Sequence, residues 1–459
     1  MIILKELKFY SKEQLAIKFD TDPKILDNIL HVLVQRGIVK YNTKSNIQFS
    51  YVGIIIVENK SIFFLPKYFN SSDELEHKLV LKNILVLLNE FTQREKLESN
   101  NIEDLDFDIE NLNNNIISII TFLLDDYIEN GIYQNEIDSY ELNGVGDINW
   151  CKTMDEIDPI VINNQWFYSD LITNKSLIDS YRFITMLHGK VINECLDFLN
   201  KTGLNDFLDY NVDIFENALD DLQDIYNIEN EIYKELSIQF NDRKRKVLFA
   251  IKSYLEKKSS NDSEYITLYG TRNFKWIWEK ICGYVFDNEF INVGNKSKYE
   301  VYGIEAPIWN IGNNTCSNRK VKNEIELKKN RLTPDILKVF SKDNKKYLLI
   351  LDAKYYNMTF KNEKLQGNPG IEDITKQYLY HSALKKYINN NRIDEVINAF
   401  LFPTQENTHI QGEVYLDFMK SQYSNENIKL VQLNVNNIIE MYCSNKKYNI
   451  KKFIEMVKG

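Results

Sequence analysis

Apolar positions at the start of the chain recur twice at helical spacing and then run into β-like stretches. Ser11 is placed to cap a helix carrying Leu15, Ala16 and Phe19. Asp22-Pro23 opens a second helix with Ile25, Leu26, Ile29, Leu30, Leu33 and Val34. Gly37 stands where that helix should end, and Ile38 to Tyr41 reads as a strand. A β-ribbon is predicted from Gln48–Val57 and Ser61–Leu65, turned at Glu58-Asn59-Lys60. Two short helices and a ribbon outline a winged-helix-like module over residues 1–69. Its basic groups are few, Lys24 and Lys40 among them, so the outline fits a DNA contact and a partner-docking module equally.

Residues 70–240 are predicted to be mostly helical. Ser71-Ser72-Asp73-Glu74 starts an apolar-periodic segment that runs through Phe91. Further helices are expected over about 115–129, 177–200 and 212–258. The acidic, Asn-rich stretch 97–114 reads as a solvated loop. Asn143-Gly-Val-Gly-Asp-Ile-Asn-Trp150 carries two glycines free to take positive φ, but no GxGxxG continuation. No GxxxxGK[ST] phosphate loop occurs anywhere in the sequence. Nucleotide hydrolysis is not expected of this chain.

From residue 241 the pattern changes to mixed α/β. Phe274–Val285 is an amphipathic helix containing Glu279, and Ile304–Ile308 is a candidate strand. One β run starts after Pro334-Asp335, Ser341–Lys346 is a polar turn, and Tyr347–Tyr356 returns, which makes a hairpin. Leu348 to Leu351 is apolar on both faces, the mark of a buried strand. Alternation puts Asp352 and Lys354 on one face, with Leu349, Leu351, Ala353 and Tyr355 on the other. Ending a buried strand in two ionisable groups is costly unless they are paired or metal-bound. Asp335 and Asp352, converging from adjacent strands beside Lys354, would make a Mg²⁺ site that Mn²⁺ can also fill. Lys354 would then orient a water or stabilise charge on a phosphate. The plainer alternative is a surface Asp-Lys pair at a strand end.

Charge sharpens this picture. The 459 residues carry a formal net charge of −10, unevenly spread. Residues 1–69 hold 10 Lys+Arg against 6 Asp+Glu, residues 70–240 hold 10 against 35, and residues 241–459 hold 36 against 25. Double-stranded DNA would be repelled by the middle and attracted to the last part. The runs Arg243–Lys246 and Lys328, Lys329 and Arg331 are either phosphate contacts or solvated faces. Five scattered cysteines form no CxxC pair, and none of the 5 histidines falls in a ligand-pair motif, so a zinc finger or disulfide framework is excluded. Lys5, Glu6 and Lys8 interrupt any export signal, and Ile116–Leu124 is far short of the ~20 residues of a membrane helix. A cytoplasmic protein without membrane contact is expected. Trp276 and Trp278 read as core or interface residues, and His188 and His381 as polar-face residues.

The spacing Pro334-Asp335, sixteen residues, Asp352-Ala353-Lys354 resembles the PD-(D/E)XK nuclease core. The order adds to it: a helix with Glu279, the two motif halves, a helix with Lys376 and Gln377, then a strand from Glu395 to Phe402. Tyr51-Val-Gly-Ile-Ile, Ile62-Phe-Phe-Leu-Pro-Lys67, Asn143–Thr153 and Asp352-Ala-Lys-Tyr-Tyr356 extend the likeness over most of the chain. They resemble the LlaJI-type restriction endonucleases, relatives of the McrC nuclease subunit. The resemblance implies an α+β, multidomain chain: a winged-helix-like module (1–69), an acidic helical domain (70–240) and a PD-(D/E)XK nuclease domain (241–459). It implies metal-binding acids Asp335, Asp352 and Glu279, with Glu264 and Glu289 as rivals for the last, and Lys354 as the catalytic lysine. It places Gln377 near the DNA backbone. The implied activity is Mg²⁺-dependent DNA cleavage for restriction or phage defence, with a McrB-like AAA+ GTPase or ATPase as partner and room for an oligomer. A stand-alone type II enzyme and an inactive DNA-binding adaptor are the alternatives.

Overall fold

The computed structural model describes the chain apart from residues 1, 43–45, 58–59, 99–114, 135, 164, 179–182, 217, 220–224, 261–265, 294, 312–313, 318–330, 362–363 and 420–426. It is a mixed helix and sheet protein, and no helix among the described residues is long and apolar enough to cross a membrane. Contacts divide it into two compact units. One spans Asn114–Thr267 with residues 58–60; the other joins Ile2–Val57, Ser61–Asn113 and Leu268–Gly459.

In the 114–267 unit helices Ile116–Asn130, Phe183–Thr202, Ile225–Ile238 and Asp242–Ser260 pack on one another, and an antiparallel pair, Glu136–Leu142 with Ile172–Ile178, has helix Trp150–Glu156 against it. The long helix predicted over 212–258 is interrupted. Asn241 starts a new one, its side chain accepting from Lys244 N–H at 3.1 Å, which is ordinary N-capping chemistry. The two arginines of the basic run just after it serve the fold: Arg243 forks onto Asp126 (2.7 Å), and Arg245 donates to the Leu236 and Gln239 carbonyls. His188 is not on a polar face. It is fully buried, accepts from Tyr133 N–H at 2.9 Å, and burial lowers its pKa to about 4, so it is a neutral core residue.

In the other unit, Ser11 forms a reciprocal capping box with Gln14 on helix Lys12–Phe19, and Asp22 caps Pro23–Gln35. A three-stranded sheet in the order Phe9–Tyr10, Ile47–Phe49, Val39–Tyr41 lies in the same stretch of chain. The predicted ribbon goes elsewhere. Val52–Val57 and Lys60–Leu65 are neighbours in a second sheet, with Ile2–Lys5 parallel to the latter and Ile266–Thr271 beside the former. Every residue from Val52 to Val57 is buried, which an exposed wing does not permit. Gly53 explains part of the Tyr51-Val-Gly motif. Its φ is +133°, and a Cβ there would lie 2.4 Å from Gly270 Cα.

The sheet that carries the site has five strands: β1 (Ile336–Lys342), β2 (Lys345–Ala353), β3 (Glu395–Thr404), β4 (His409–Val414) and β5 (Ile428–Asn434), in the order β1-β2-β3-β5-β4. β1 and β2 form the predicted hairpin, turned at Asp343-Asn344 with φ of 50° and 61°. β3 runs parallel to both β2 and β5. Leu348 to Leu351 are all fully buried. The helix α1 (Phe274–Val285) buries Phe274, Ile277, Trp278, Ile281 and Cys282, and the Trp278 indole donates to the Leu401 carbonyl on β3 at 3.2 Å. A second helix, α2 (Ile371–Ala383), lies between β2 and β3 in sequence.

Candidate active site

Asp335 is held where β1 begins. Its backbone carbonyl accepts from Asn288 Nδ2 at 2.9 Å, and its Oδ2 accepts the Ala353 N–H at 3.1 Å. That second bond pins the carboxylate against the Asp352-Ala353-Lys354 step of β2. Asp335 is thereby set beside Asp352, the residue before Ala353. Burial drives the Asp335 pKa well above the usual carboxylate range, and the charges of Asp352 and Glu279 add to it against Lys354.

Asp352 and Lys354 are both buried, at 4% and 8% exposure, so their pairing is enforced rather than optional. Lys354 Nζ lies 3.0 Å from Asp352 Oδ2 and 2.9 Å from Asp373 Oδ1 on α2. Burial alone would lower its pKa, but the two carboxylates outweigh it and hold the ammonium charged. Asp373 is absent from the sequence reading. An acidic residue in a helix first turn is ordinary dipole chemistry, so its sequence position gives no sign of this contact.

Glu279 sits on α1, one turn after Lys275. Burial raises its pKa, Lys275 at 3.5 Å lowers it, and Asp352 raises it again. Of the two alternatives to it, Glu289 is engaged by Lys338 (2.7 Å) and Val339 N–H (3.1 Å) along β1. Glu264 lies outside the described residues. Gln377 is fully buried and donates to the Ala399 carbonyl at 3.4 Å, so its side chain ties α2 to β3 rather than meeting solvent. Lys376 is exposed on α2. Arg331 is half-buried with its guanidinium 5.2 Å from the Tyr299 ring centroid, while Lys328 and Lys329 lie outside the described residues.

Among the described residues, no three His, Cys, Asp or Glu side chains are disposed to hold a metal ion as they stand. The pair Asp335 and Asp352 nevertheless suits one. Mg²⁺ takes one or two carboxylates and keeps several waters, and two buried carboxyl groups set side by side are the oxygen donors it prefers.

Comparison with known proteins places the chain in a family. Residues 51–444 match the family model described as LlaJI restriction endonuclease. The chain belongs to this family. The LlaJI match encloses every site residue from Glu279 to Gln377, and Lys67 as well. The chain is 30% identical to the Type II restriction enzyme BsuMI component YdjA of Bacillus subtilis (strain 168), over 99% of its own length and 93% of the relative's. Among solved structures it is similar to a half-complex from a tetradecameric assembly of Thermococcus gammatolerans McrB AAA+ hexamers with bound McrC, at 11% identity and a TM-score of 0.37, covering 96% of this chain and 98% of that one.

Proposed function

We propose that this LlaJI-family chain is the DNA-cutting subunit of a restriction system and hydrolyses phosphodiester bonds at Asp335, Asp352 and Lys354. One observation carries the reading: two desolvated carboxylates and a charged lysine converge at the end of a fully buried strand. A protein tolerates such a cluster chiefly where chemistry needs it. The order α1, hairpin β1-β2, α2, β3 supports a PD-(D/E)XK core, with the charge division at about 69 and 240 around it.

Asp335 and Asp352 would hold the metal, with Glu279 behind them. When bound, Mg²⁺ or Mn²⁺ supplies a Lewis acid for a phosphate oxygen and acidifies a water. Lys354, kept charged by Asp352 and Asp373, donates to the phosphate as negative charge develops on it. Asp373 keeps the ammonium aimed, and the Ala353 N–H keeps the Asp335 carboxylate turned towards its partner. Lys376, Arg331, Lys328 and Lys329 are assigned to backbone phosphates, and the protein is assigned to the cytoplasm.

A separate AAA+ GTPase or ATPase subunit is part of the proposal. The sequence has no phosphate loop of its own, and its 30% identical relative is described as a component of an enzyme. The chain with its neighbouring P-loop subunit should cut double-stranded DNA in Mg²⁺, and Lys354→Ala should slow the cut by about 10²-fold or more. Equal rates for Lys354→Ala and the parent would remove the lysine from the mechanism. Nucleotide-independent, site-specific cutting by this chain alone would favour the stand-alone enzyme.

A further inference from the structure

Lys67 closes the Ile62-Phe-Phe-Leu-Pro-Lys67 segment, which the acid cluster does not explain. Its backbone is fixed from both sides. The N–H donates to Glu6 Oε2 at 3.1 Å and to Tyr355 Oη at 3.2 Å, and the carbonyl accepts from Asn357 Nδ2 at 3.0 Å. Glu6 is buried and accepts the Tyr355 hydroxyl at 2.6 Å. This clamp joins the strand Ile2–Lys5 side of the unit to the residue directly after Lys354.

The Lys67 side chain is left with aromatic neighbours. Its ammonium lies 4.3 Å from the Tyr355 ring centroid and 5.5 Å from that of Tyr356, and among the described residues no carboxylate forms an ion pair with it. Burial lowers its pKa; Glu6 opposes this, and the charge of Lys275 lowers it further. Lys275 is itself 58% exposed and sits one turn before Glu279 on α1. Phe274, the residue before Lys275, packs on the same Tyr355 ring with centroids 5.2 Å apart, so the segments carrying both lysines meet at the residue directly after Lys354, and the Lys67 ammonium has no ion-pair partner among the described residues. Such a group is unfavourable until an anion arrives.

We propose that Lys67 and Lys275 seat a phosphate of the DNA backbone flanking the one that is cut. The aromatic faces of Tyr355 and Tyr356 hold the Lys67 stem straight, and Glu6 fixes where it starts. The seat rests on the nuclease reading, because it takes the substrate's own strand as ligand. It adds a contact from the first 70 residues to a site otherwise built after residue 270.

The test uses the full chain carrying Asp352→Ala, so that DNA is held and not cut, and a fluorescein-labelled DNA duplex titrated at several salt concentrations. Lys67→Met keeps the apolar stem over the tyrosines and removes the charge. It should flatten the dependence of log Kd on log salt by about 1, and the pair Lys67→Met with Lys275→Met by about 2. Lys67→Arg should keep the parent slope. If Lys67→Met lowers the unfolding midpoint, the exposed Lys275→Met carries the test alone and should lose about 1. Unchanged slopes, or a parent chain that does not hold the duplex, would overturn the seat. Cleavage by the unaltered chain in Mg²⁺ is scored separately, so loss of the seat leaves the nuclease reading standing.

Discussion

Asp352→Ala is expected to abolish Mg²⁺-dependent cutting while DNA binding stays nearly intact or strengthens. The carboxylate is buried at the end of β2, and its two neighbours are Asp335 and the Lys354 ammonium. Removing it halves the donor set that would hold the metal and leaves Lys354 paired with Asp373 alone. The expected loss in rate is on the order of 10³-fold or greater, as for removal of a preorganised charge-stabilising group. Binding should not follow, because one negative charge has been taken away from where phosphate lies. The measurement is cleavage rate beside duplex affinity, in the presence of the P-loop subunit. A variant that cuts at the parent rate would place the chemistry elsewhere.

Asp335→Asn should stabilise the metal-free protein at neutral pH and silence it. The Asp335 pKa is raised in the folded state, first by burial and then by Asp352 and Glu279. A raised acid contributes stability when protonated, fully below the ordinary carboxylate range, and that contribution is lost as pH rises through the raised value. The parent chain in EDTA should therefore melt at falling temperature from acid towards neutral pH. Asparagine keeps an oxygen to accept the Ala353 N–H and carries no charge, so this part of the pH dependence should disappear. For domains of this size each ~1 kcal/mol relieved corresponds to roughly 2–4 °C in Tm. Added Mg²⁺ should raise the parent's melting temperature and leave the variant's unchanged, since only the parent keeps both carboxylates. Identical melting of the two proteins across pH in EDTA would mean that the Asp335 carboxyl is not under the strain described.

The features that were legible in the sequence are those set by neighbours along the chain. Ser11 and Asp22 cap where their side-chain chemistry demands, and the β1-β2 hairpin follows from alternation plus two residues, Asp343 and Asn344, that tolerate positive φ. The resemblance to the LlaJI family is borne out by the match over residues 51–444, and Asp335, Asp352 and Lys354 stand together. What was not legible depends on contacts distant in sequence. Val52–Val57 reads as one arm of a surface ribbon, whereas Gly53 and Gly270 let it pair edge to edge with Ile266–Thr271 as an inner strand of a sheet in which all six of its residues are buried. Gln377 looks like any polar residue on a helix, and only packing of α2 on β3 turns it inward. Asp373 and Lys67 each reach the centre from outside the motif, one by a helix start and one by a clamp on Glu6 and Tyr355. A pattern of single-residue spacing carries no information on either.

The central claim is that Asp335 and Asp352 together are the metal-holding acids of a DNA-cutting centre in this chain. It is tested most directly by calorimetric titration of Mn²⁺ into the full-length protein, with Asp335→Asn and Asp352→Ala titrated alongside. The parent should bind the ion and release protons on doing so, because the acid pair must ionise fully. Each variant should lose that binding and its proton release. Undiminished Mn²⁺ binding by both variants would contradict the claim.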